Sequence, residues 1–252
     1  MIRQIDSQLV FSALREHVGD WYEAVNGERE THAKMIEFYA SGTERRTRIL
    51  LGPLMAEYAK SPPRRILDVG SGFASIPVYL ASQWPQTDIL ATDMTDRYFS
   101  CGAKAAAQLG ADNIRFNVED ITTLEYKDEF DLVISCNMLN YMTSYAMLSD
   151  ALSRLAAATR SGGRLVTYTP HFWSVREPFT SIPMLHFLPV AAQDKIVRKL
   201  GKRSGLSDVR NPSLREISGI LKKHNFRRIG VHPSSAISRA RATHMTAWFQ
   251  KT

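Results

Sequence analysis

Between residues 64 and 170, short runs of β-type residues alternate with longer segments of helical period, and no other feature of this sequence restricts its fold so strongly. Such alternation is how a parallel sheet with crossover helices reads along a chain, because parallel neighbours need a long return connection. Strands are expected over Arg65 to Val69, Asp88 to Thr92, Ile114 to Asn117, Phe130 to Ser135 and Arg164 to Thr169, with helices near Ile76 to Gln83, Asp96 to Leu109 and Ser144 to Thr159. Ser161-Gly162-Gly163 reads as the turn that stops the last of these helices. Further on, Ser213 and Glu216 have the spacing of a capping box that opens a helix reaching His224. Phe226 to Val231 and Thr243 to Gln250 read as two strands joined by the polar connection Ser234 to Ala242, hence an antiparallel pair. The expected fold is α/β, a mostly parallel seven-stranded sheet ending in an antiparallel hairpin.

Two regions fall outside that sheet. Residues 1 to 62 are helical in pattern up to Ser61-Pro62-Pro63, with aromatic faces from Trp21, Tyr22, Phe38 and Tyr39, and are expected to form an N-terminal helical cap on a main domain of residues 63 to 252. Residues 171 to 212 are too many for a bare loop and are expected to form a lid or substrate-binding insertion after the fifth strand. The hydrophobic fraction of 44% and the charged fraction of 23% are those of a globular chain without low-complexity tracts. Cys101 and Cys136 are the only cysteines, so neither a disulfide framework nor a thiolate metal cluster can be built, and a reducing cytoplasm is the expected compartment. Met1-Ile2-Arg3 brings a charge too early for a signal peptide, and no apolar run approaches the ~20 residues of a membrane span. The net charge of +7 favours an anionic partner, with clusters at Arg45, Arg46 and Arg48, at Lys195, Arg198, Lys199, Lys202 and Arg203, and at Arg239 and Arg241. Each cluster reads most simply as a solvated face, and weak peripheral membrane contact is the alternative for the 195–203 run.

The chemistry concentrates in Arg65-Ile-Leu-Asp-Val-Gly-Ser-Gly-Phe-Ala-Ser75, where a β-run ends in an acid and opens into Gly70-Ser71-Gly72. Glycines suit a tight strand-to-helix turn whose backbone must approach a ligand. A lone Gly-x-Gly is common, and Asp68 is what discriminates. A dinucleotide would bring pyrophosphate to this turn, where a carboxylate repels it, whereas a ligand carrying an ammonium and a sulfonium is attracted. Asp93, 21 residues after Gly72, can accept from both hydroxyls of a ribose.

On these residues the chain resembles the class I S-adenosylmethionine-dependent methyltransferases. Leu-Asp-Val-Gly-Ser-Gly (67 to 72) is similar to their first motif and Ala-Thr-Asp-Met (91 to 94) to their second. Val-Glu-Asp-Ile (118 to 121) is similar to the adenine-contacting motif, Phe-Asp-Leu-Val-Ile-Ser (130 to 135) to the fourth strand, and Ser-Gly-Gly-Arg-Leu to the entry of the fifth. One departure is Ala74, where many members carry a third glycine. The resemblance implies a Rossmann-like methyltransferase sheet and S-adenosylmethionine as cofactor. It places Asp68, Gly70, Ser71, Gly72 and Asp93 around the cofactor, Asp120 on the adenine amine, Ile121 against the ring, and Met94 either facing adenine or packing in the core. Dull alternatives exist: Asp68 as a helix-terminal charge, Asp93 as a turn residue and Asp120 as a cap.

Methyl transfer from a sulfonium is an in-line displacement, so holding the acceptor is the main task and a base is needed only for a hydroxyl. Ligands of such sheets bind at the C-terminal ends of the strands. Asn137, Asn140 and Tyr141 after the fourth strand, and His171, Phe172 and Trp173 after the fifth, are therefore the candidates. Asn137 is expected to touch the methionine end of the cofactor and His171 to be the base, with Asn140 and Tyr141 beside the acceptor; His32, His186 and His244 are weaker choices. Asn140-Tyr141 departs from the Asn/Asp-Pro-Pro-aromatic run of many adenine and glutamine methylases, which argues against those acceptors. The aromatic, proline-rich stretch His171 to Pro189 resembles, diffusely, insertions in bacterial enzymes acting on sugars, lipid-linked intermediates or secondary metabolites. A small-molecule acceptor methylated on oxygen, anionic in character, is the leading expectation. An RNA or protein substrate is the alternative, weakened by the lack of a recognisable RNA-binding module, and a non-catalytic scaffold is a second. No metal is called for, and the sequence leaves the oligomeric state open.

Overall fold

The structure is a computed structural model and describes residues 5–252. A seven-stranded sheet runs in the order β3-β2-β1-β4-β5-β7-β6. Its strands are β1 (Arg65–Val69), β2 (Asp88–Asp93), β3 (Ile114–Val118), β4 (Phe130–Cys136), β5 (Thr159–Pro170), β6 (Phe226–His232) and β7 (His244–Lys251). This is the mostly parallel α/β architecture that the alternating pattern implies. The chain forms two compact units, residues 1–124 with 130–134, and residues 125–129 with 135–252.

In the first unit β1 pairs in parallel with β2, Arg65 opposite Asp88 through Val69 opposite Thr92, and β2 pairs in parallel with β3. Ile66, Leu67, Asp68 and Val69 are all buried. A strand covered on both faces must be apolar at successive positions rather than alternate ones, so a carboxylate in the middle of this run is conspicuous. The order reverses at β1, which has β2 on one side and β4 on the other, and its C-terminal end is therefore the switch point where ligands of such sheets bind. Helices α1 (Ser7–Asn26), α2 (Ala33–Tyr39), α3 (Gly42–Leu51) and α4 (Met55–Lys60) precede β1, while α5 (Ser75–Gln83) and α6 (Phe99–Leu109) are its crossovers. Helix α6 starts three residues later than the sequence pattern suggests, because the Asp96 carbonyl accepts from Phe99 N–H in a turn before it.

The N-terminal helices meet the glycine turn through one ring. Phe73, 4% exposed, follows Gly72 directly and sits within 4.7–5.8 Å of the rings of Trp21, Tyr22, Tyr39 and Tyr98. Val18, Ile36 and Cys101 complete this cluster. Trp21 fixes its orientation by donating from Nε1 to the Arg97 carbonyl at 3.1 Å. On the other side, α6 approaches the turn at Gly102, where a Cβ would lie 2.9 Å from that of Ala74. Ala74 itself has φ 53, in the left-handed region.

In the second unit β5 and β6 each pair antiparallel with β7, Leu165 opposite Phe249 and Phe226 opposite Lys251, with a bulge between Arg228 and Gly230. Helix α7 (Tyr145–Ala158) is N-capped by Ser144, whose Oγ accepts from Met147 N–H. Helix α8 (Val190–Lys199) lies in the segment expected to be a lid. The Ser213–Glu216 capping box opens α9 (Leu214–Lys222) as its spacing predicts. One expectation fails here: Ser161-Gly162-Gly163 does not stop α7; extended chain begins already at Thr159 and Gly162 (φ 74) lies within β5. The polar connection Ser234 to Ala242 joins the antiparallel β6 and β7 as expected and holds a short helix, α10 (Ala236–Arg241), capped by Ser235.

Candidate functional site

The glycine turn is stitched to β2 by its own backbone. Gly70 and Ser71 donate N–H to the Thr92 carbonyl at 2.8 and 3.0 Å, and Gly72 N–H donates to Asp93 Oδ2 at 2.9 Å. Gly70 (φ 74) and Gly72 (φ 54) both occupy the left-handed region that glycine adopts without a Cβ penalty. Ser71 Oγ donates to the Asp68 carbonyl, closing the turn back on β1. Asp93 thus organises the turn with one oxygen, while Oδ1 receives a long bond from Thr95 N–H at 3.3 Å and keeps lone pairs for a ligand.

Asp68 is 2% exposed, and its Oδ1 is buried without a hydrogen-bond partner among the described residues. Burial pushes its carboxyl up to about 7, with the nearby Asp93 charge pushing the same way and the Ser71 hydrogen bond pulling back. An acceptor left unmet in a dry site costs free energy, so its persistence calls for a ligand. Asp120 follows β3 and accepts from Thr122 N–H at 2.8 Å through Oδ1, while Glu119 N–H donates to the Asp93 carbonyl and joins the two loops. Ile121 is buried and Met94 is 74% exposed, so Met94 is not a core residue.

The second unit holds the remaining candidates. Asn137 has φ 55 and donates its N–H to the Tyr168 carbonyl at 2.7 Å, with Oδ1 buried and unpartnered among the described residues. Asn140 is 1% exposed with Oδ1 in the same condition, and Tyr141 is exposed. His171 is buried, and its Nδ1 has no partner among the described residues. Burial first, then the Arg239 and His186 charges, bring the His171 imidazole down to about 4, so it is neutral at pH 7. The other histidines have structural employment: His32 stacks on Tyr22, His186 bonds the Phe172 carbonyl, and His244 stacks on Tyr168 and contacts Thr243 Oγ1.

The basic clusters divide. Arg46 lies 4.0 Å over the Phe38 ring and donates to its carbonyl, so that cation is a packing element, while Lys195, Arg198 and Lys199 are exposed on α8. Sequence reasoning missed Phe73 as the anchor of the turn, and missed Arg210 and Asn211, whose Nη1 and Oδ1 are buried and unpartnered among the described residues. No periodicity marks them; the one available signal was a cation three residues before the Ser213 cap.

A buried acid beside a glycine turn at the switch point of this sheet, with a second acid after β2 and a third after β3, defines the class I methyltransferase fold. Residues 66–163 match the family model described as Methyltransferase domain. Malonyl-[acyl-carrier protein] O-methyltransferase of Bacillus cereus is 29% identical over 97 residues, 38% of this chain and 35% of that protein. Trans-aconitate 2-methyltransferase of Mycobacterium sp. (strain KMS) is 26% identical over 164 residues, 61% of this chain and 59% of that protein. The chain thus spans between about a third and three fifths of these curated relatives. Among solved structures, magnesium protoporphyrin IX methyltransferase from Synechocystis PCC 6803 with bound S-adenosylhomocysteine superposes with a TM-score of 0.60 at 18% identity, over 98% of this chain and all of that one, and shares the fold. No helix among the described residues is long and apolar enough to cross a membrane.

Proposed function

We propose that this chain is an S-adenosylmethionine-dependent methyltransferase that methylates an oxygen of a small-molecule acceptor, such as a sugar, a lipid-linked intermediate or another secondary metabolite. The observation that carries the reading is the buried, unpartnered Oδ1 of Asp68 beside Asp93 at the glycine turn. A charge about 4 Å from a carboxylate interacts with it by about 4 kcal/mol at an effective dielectric near 20. For an ammonium that energy is attractive and for a pyrophosphate repulsive, which selects a cationic ligand over a dinucleotide.

S-adenosylmethionine, when bound, supplies an electrophilic methyl on sulfur. Asp68 accepts from its ammonium, Gly70, Ser71 and Gly72 present backbone to it, and Asp93 Oδ1 accepts from the ribose. Asp120 accepts from the adenine amine, with Ile121 and Met94 flanking the ring, and Asn137 serves the methionine end. In the second unit His171 Nδ1, neutral at pH 7, takes the proton of an acceptor hydroxyl, and Asn140 and Tyr141 orient that acceptor. Residues 171–212 form the lid that excludes water. A relative named malonyl-[acyl-carrier protein] O-methyltransferase supports transfer to oxygen, and one named trans-aconitate 2-methyltransferase supports a small acceptor.

Calorimetric titration with S-adenosylhomocysteine and, separately, with a nicotinamide dinucleotide tests the cofactor assignment: the first binds and the second does not. Incubation with methyl-labelled cofactor and fractionated metabolites, lipids and RNA then tests the acceptor, with label expected in a small-molecule fraction. Label confined to RNA or protein would overturn the acceptor reading.

A further inference from the structure

The second unit holds a half-open cavity of about 430 Å³, within the ~300–1,000 Å³ range of small-molecule sites. Phe172, Val190, Leu206 and Val209 give it an apolar wall. Its polar wall divides sharply into satisfied and unsatisfied groups. Glu177 Oε2 accepts from Phe179 N–H, Thr180 N–H and Thr180 Oγ1 at 3.0, 2.6 and 2.6 Å. Gln193 donates from Nε2 to the Leu188 carbonyl at 2.7 Å. Glu216 Oε2 accepts from Ser213 N–H and Oγ at 2.9 Å each, and Oε1 is paired with Arg210 Nη2. Burial raises the Glu216 carboxyl, but the Ser213 bonds and the Arg210 guanidinium outweigh it and leave it below the ordinary range, so it is ionised at pH 7.

Three atoms of lining residues remain buried and unpartnered among the described residues: Arg210 Nη1, Asn211 Oδ1 and His186 Nδ1. His186 Nε2 lies 2.8 Å from the Phe172 carbonyl, which can only accept, so Nε2 carries the proton of that bond and Nδ1 accepts in the neutral ring. The buried part of the wall therefore offers one unpartnered cationic donor, Arg210 Nη1, and the unpartnered Asn211 Oδ1 and His186 Nδ1 to whatever fills it. Buried polar groups in folded chains are almost always paired, and three such atoms around one apolar space describe a ligand. The donor selects an anionic oxygen, while the two acceptors select O–H or N–H groups.

The charge is bounded too. Arg210 pairs with Glu216 through Nη2, and the wall carries two carboxylates, Glu177 and Glu216, against two guanidinium side chains, Arg210 and the exposed Arg215. A dianionic phosphate would bring twice the charge of a carboxylate toward Glu177 and Glu216, whereas a singly charged carboxylate needs only the buried, unpartnered Arg210 Nη1.

We infer that this cavity is the acceptor subsite and that it takes a hydroxylated carboxylic acid with an apolar body, its carboxylate held by Arg210 Nη1 and a polar O–H or N–H group, separate from the hydroxyl that His171 would deprotonate, held by Asn211 Oδ1 or His186 Nδ1. As an acceptor subsite it rests on the methyltransferase reading; as an acid-binding cavity it stands on its own walls.

The test uses the full chain and calorimetry with 2-, 3- and 4-hydroxyphenylacetate, each against its uncharged amide, alongside S-adenosylhomocysteine in the same preparations. The expected result is at least tenfold tighter binding of one acid than of its amide, lost in Arg210→Gln while S-adenosylhomocysteine affinity is unchanged. If Arg210→Gln does not fold, Val209→Trp, which fills the cavity and leaves the Arg210–Glu216 pair in place, is expected to abolish binding of the acid. No acid preferred over its amide, a preference that survives Arg210→Gln, or binding undiminished in Val209→Trp overturns the inference. Acid binding in a chain that ignores S-adenosylhomocysteine would instead refute the methyltransferase reading and leave the acid site standing.

Discussion

Replacing Asp68 with asparagine exchanges ligand affinity for stability, and the size of the exchange follows from burial. The carboxyl is moved from an ordinary 3.8 to about 7, chiefly by desolvation. Below pH 3.8 the acid is protonated in both folded and unfolded chains and contributes nothing. As pH rises toward 7 the unfolded chain releases this proton while the folded chain keeps it, so stability is lost at about 1.4 kcal/mol per pH unit. Above pH 7 both are ionised, and the full penalty of about 4 kcal/mol is in place. Asparagine has nearly the same shape and no charge, so this pH dependence disappears with it. Urea unfolding of both proteins at pH 5, 6, 7 and 8 measures the effect, since every other titrating group cancels in the difference. The stability difference should move by about 3 kcal/mol in favour of Asp68→Asn between pH 5 and pH 8, offset at all pH values by about 1–3 kcal/mol for an amide without partners. A difference constant across that range would refute the buried acid and, with it, the charge argument for the cofactor. The same substitution should weaken S-adenosylhomocysteine binding at least tenfold, because the ammonium loses its counter-charge.

Asp93→Ala should raise the S-adenosylhomocysteine dissociation constant at least tenfold, about 1.4 kcal/mol, by leaving the ribose hydroxyls unpartnered; unchanged affinity by calorimetry would remove Asp93 from the site. Phe73→Ala should cost about 3–5 kcal/mol in urea unfolding, since it removes the ring that Trp21, Tyr22, Tyr39 and Tyr98 surround, and a loss under 1 kcal/mol would contradict that packing. His171→Ala should lower turnover and spare cofactor binding. Because burial brings the His171 imidazole down to about 4, wild-type turnover should show no histidine limb between pH 6 and pH 8, and a limb abolished by His171→Ala would place its ionisation wrongly.

The parts of the fold that were legible are those decided by neighbours in sequence. β1 occupies the expected residues and β2 and β4 end within one residue of expectation, because a strand buried on both faces is a near-continuous apolar run bounded by turn residues; β3 does so as an alternating edge strand. The α9 capping box needs only residues 213 to 216. Where the structure departs from the local pattern, the departure lies in short segments whose sequence signal is ambiguous. Gly162 reads as a turn, yet β5 runs through it because the chain is already extended at Thr159. Helix α10 is a single polar turn and a half whose start is held by Ser235, with too short a pattern to show a period.

The same division runs through the candidate site, and it has a functional logic. Asp68, Gly70, Gly72 and Asp93 could be read together because they lie on one strand-turn-helix segment and the next strand end, the segment proposed to hold the cationic methyl donor. The walls of the second cavity come from His186 and Phe172 in one stretch and Arg210 and Asn211 in another, so no spacing rule joins them. Acceptor recognition, as proposed for the 171–216 segment, could change residue by residue without touching the glycine turn, whose anchor Phe73 packs against Trp21, Tyr22, Tyr39 and Tyr98. If that division holds, substitutions at Arg210 or Val209 should alter which acid binds while leaving S-adenosylhomocysteine affinity constant, and substitutions at Asp68 or Asp93 should do the reverse.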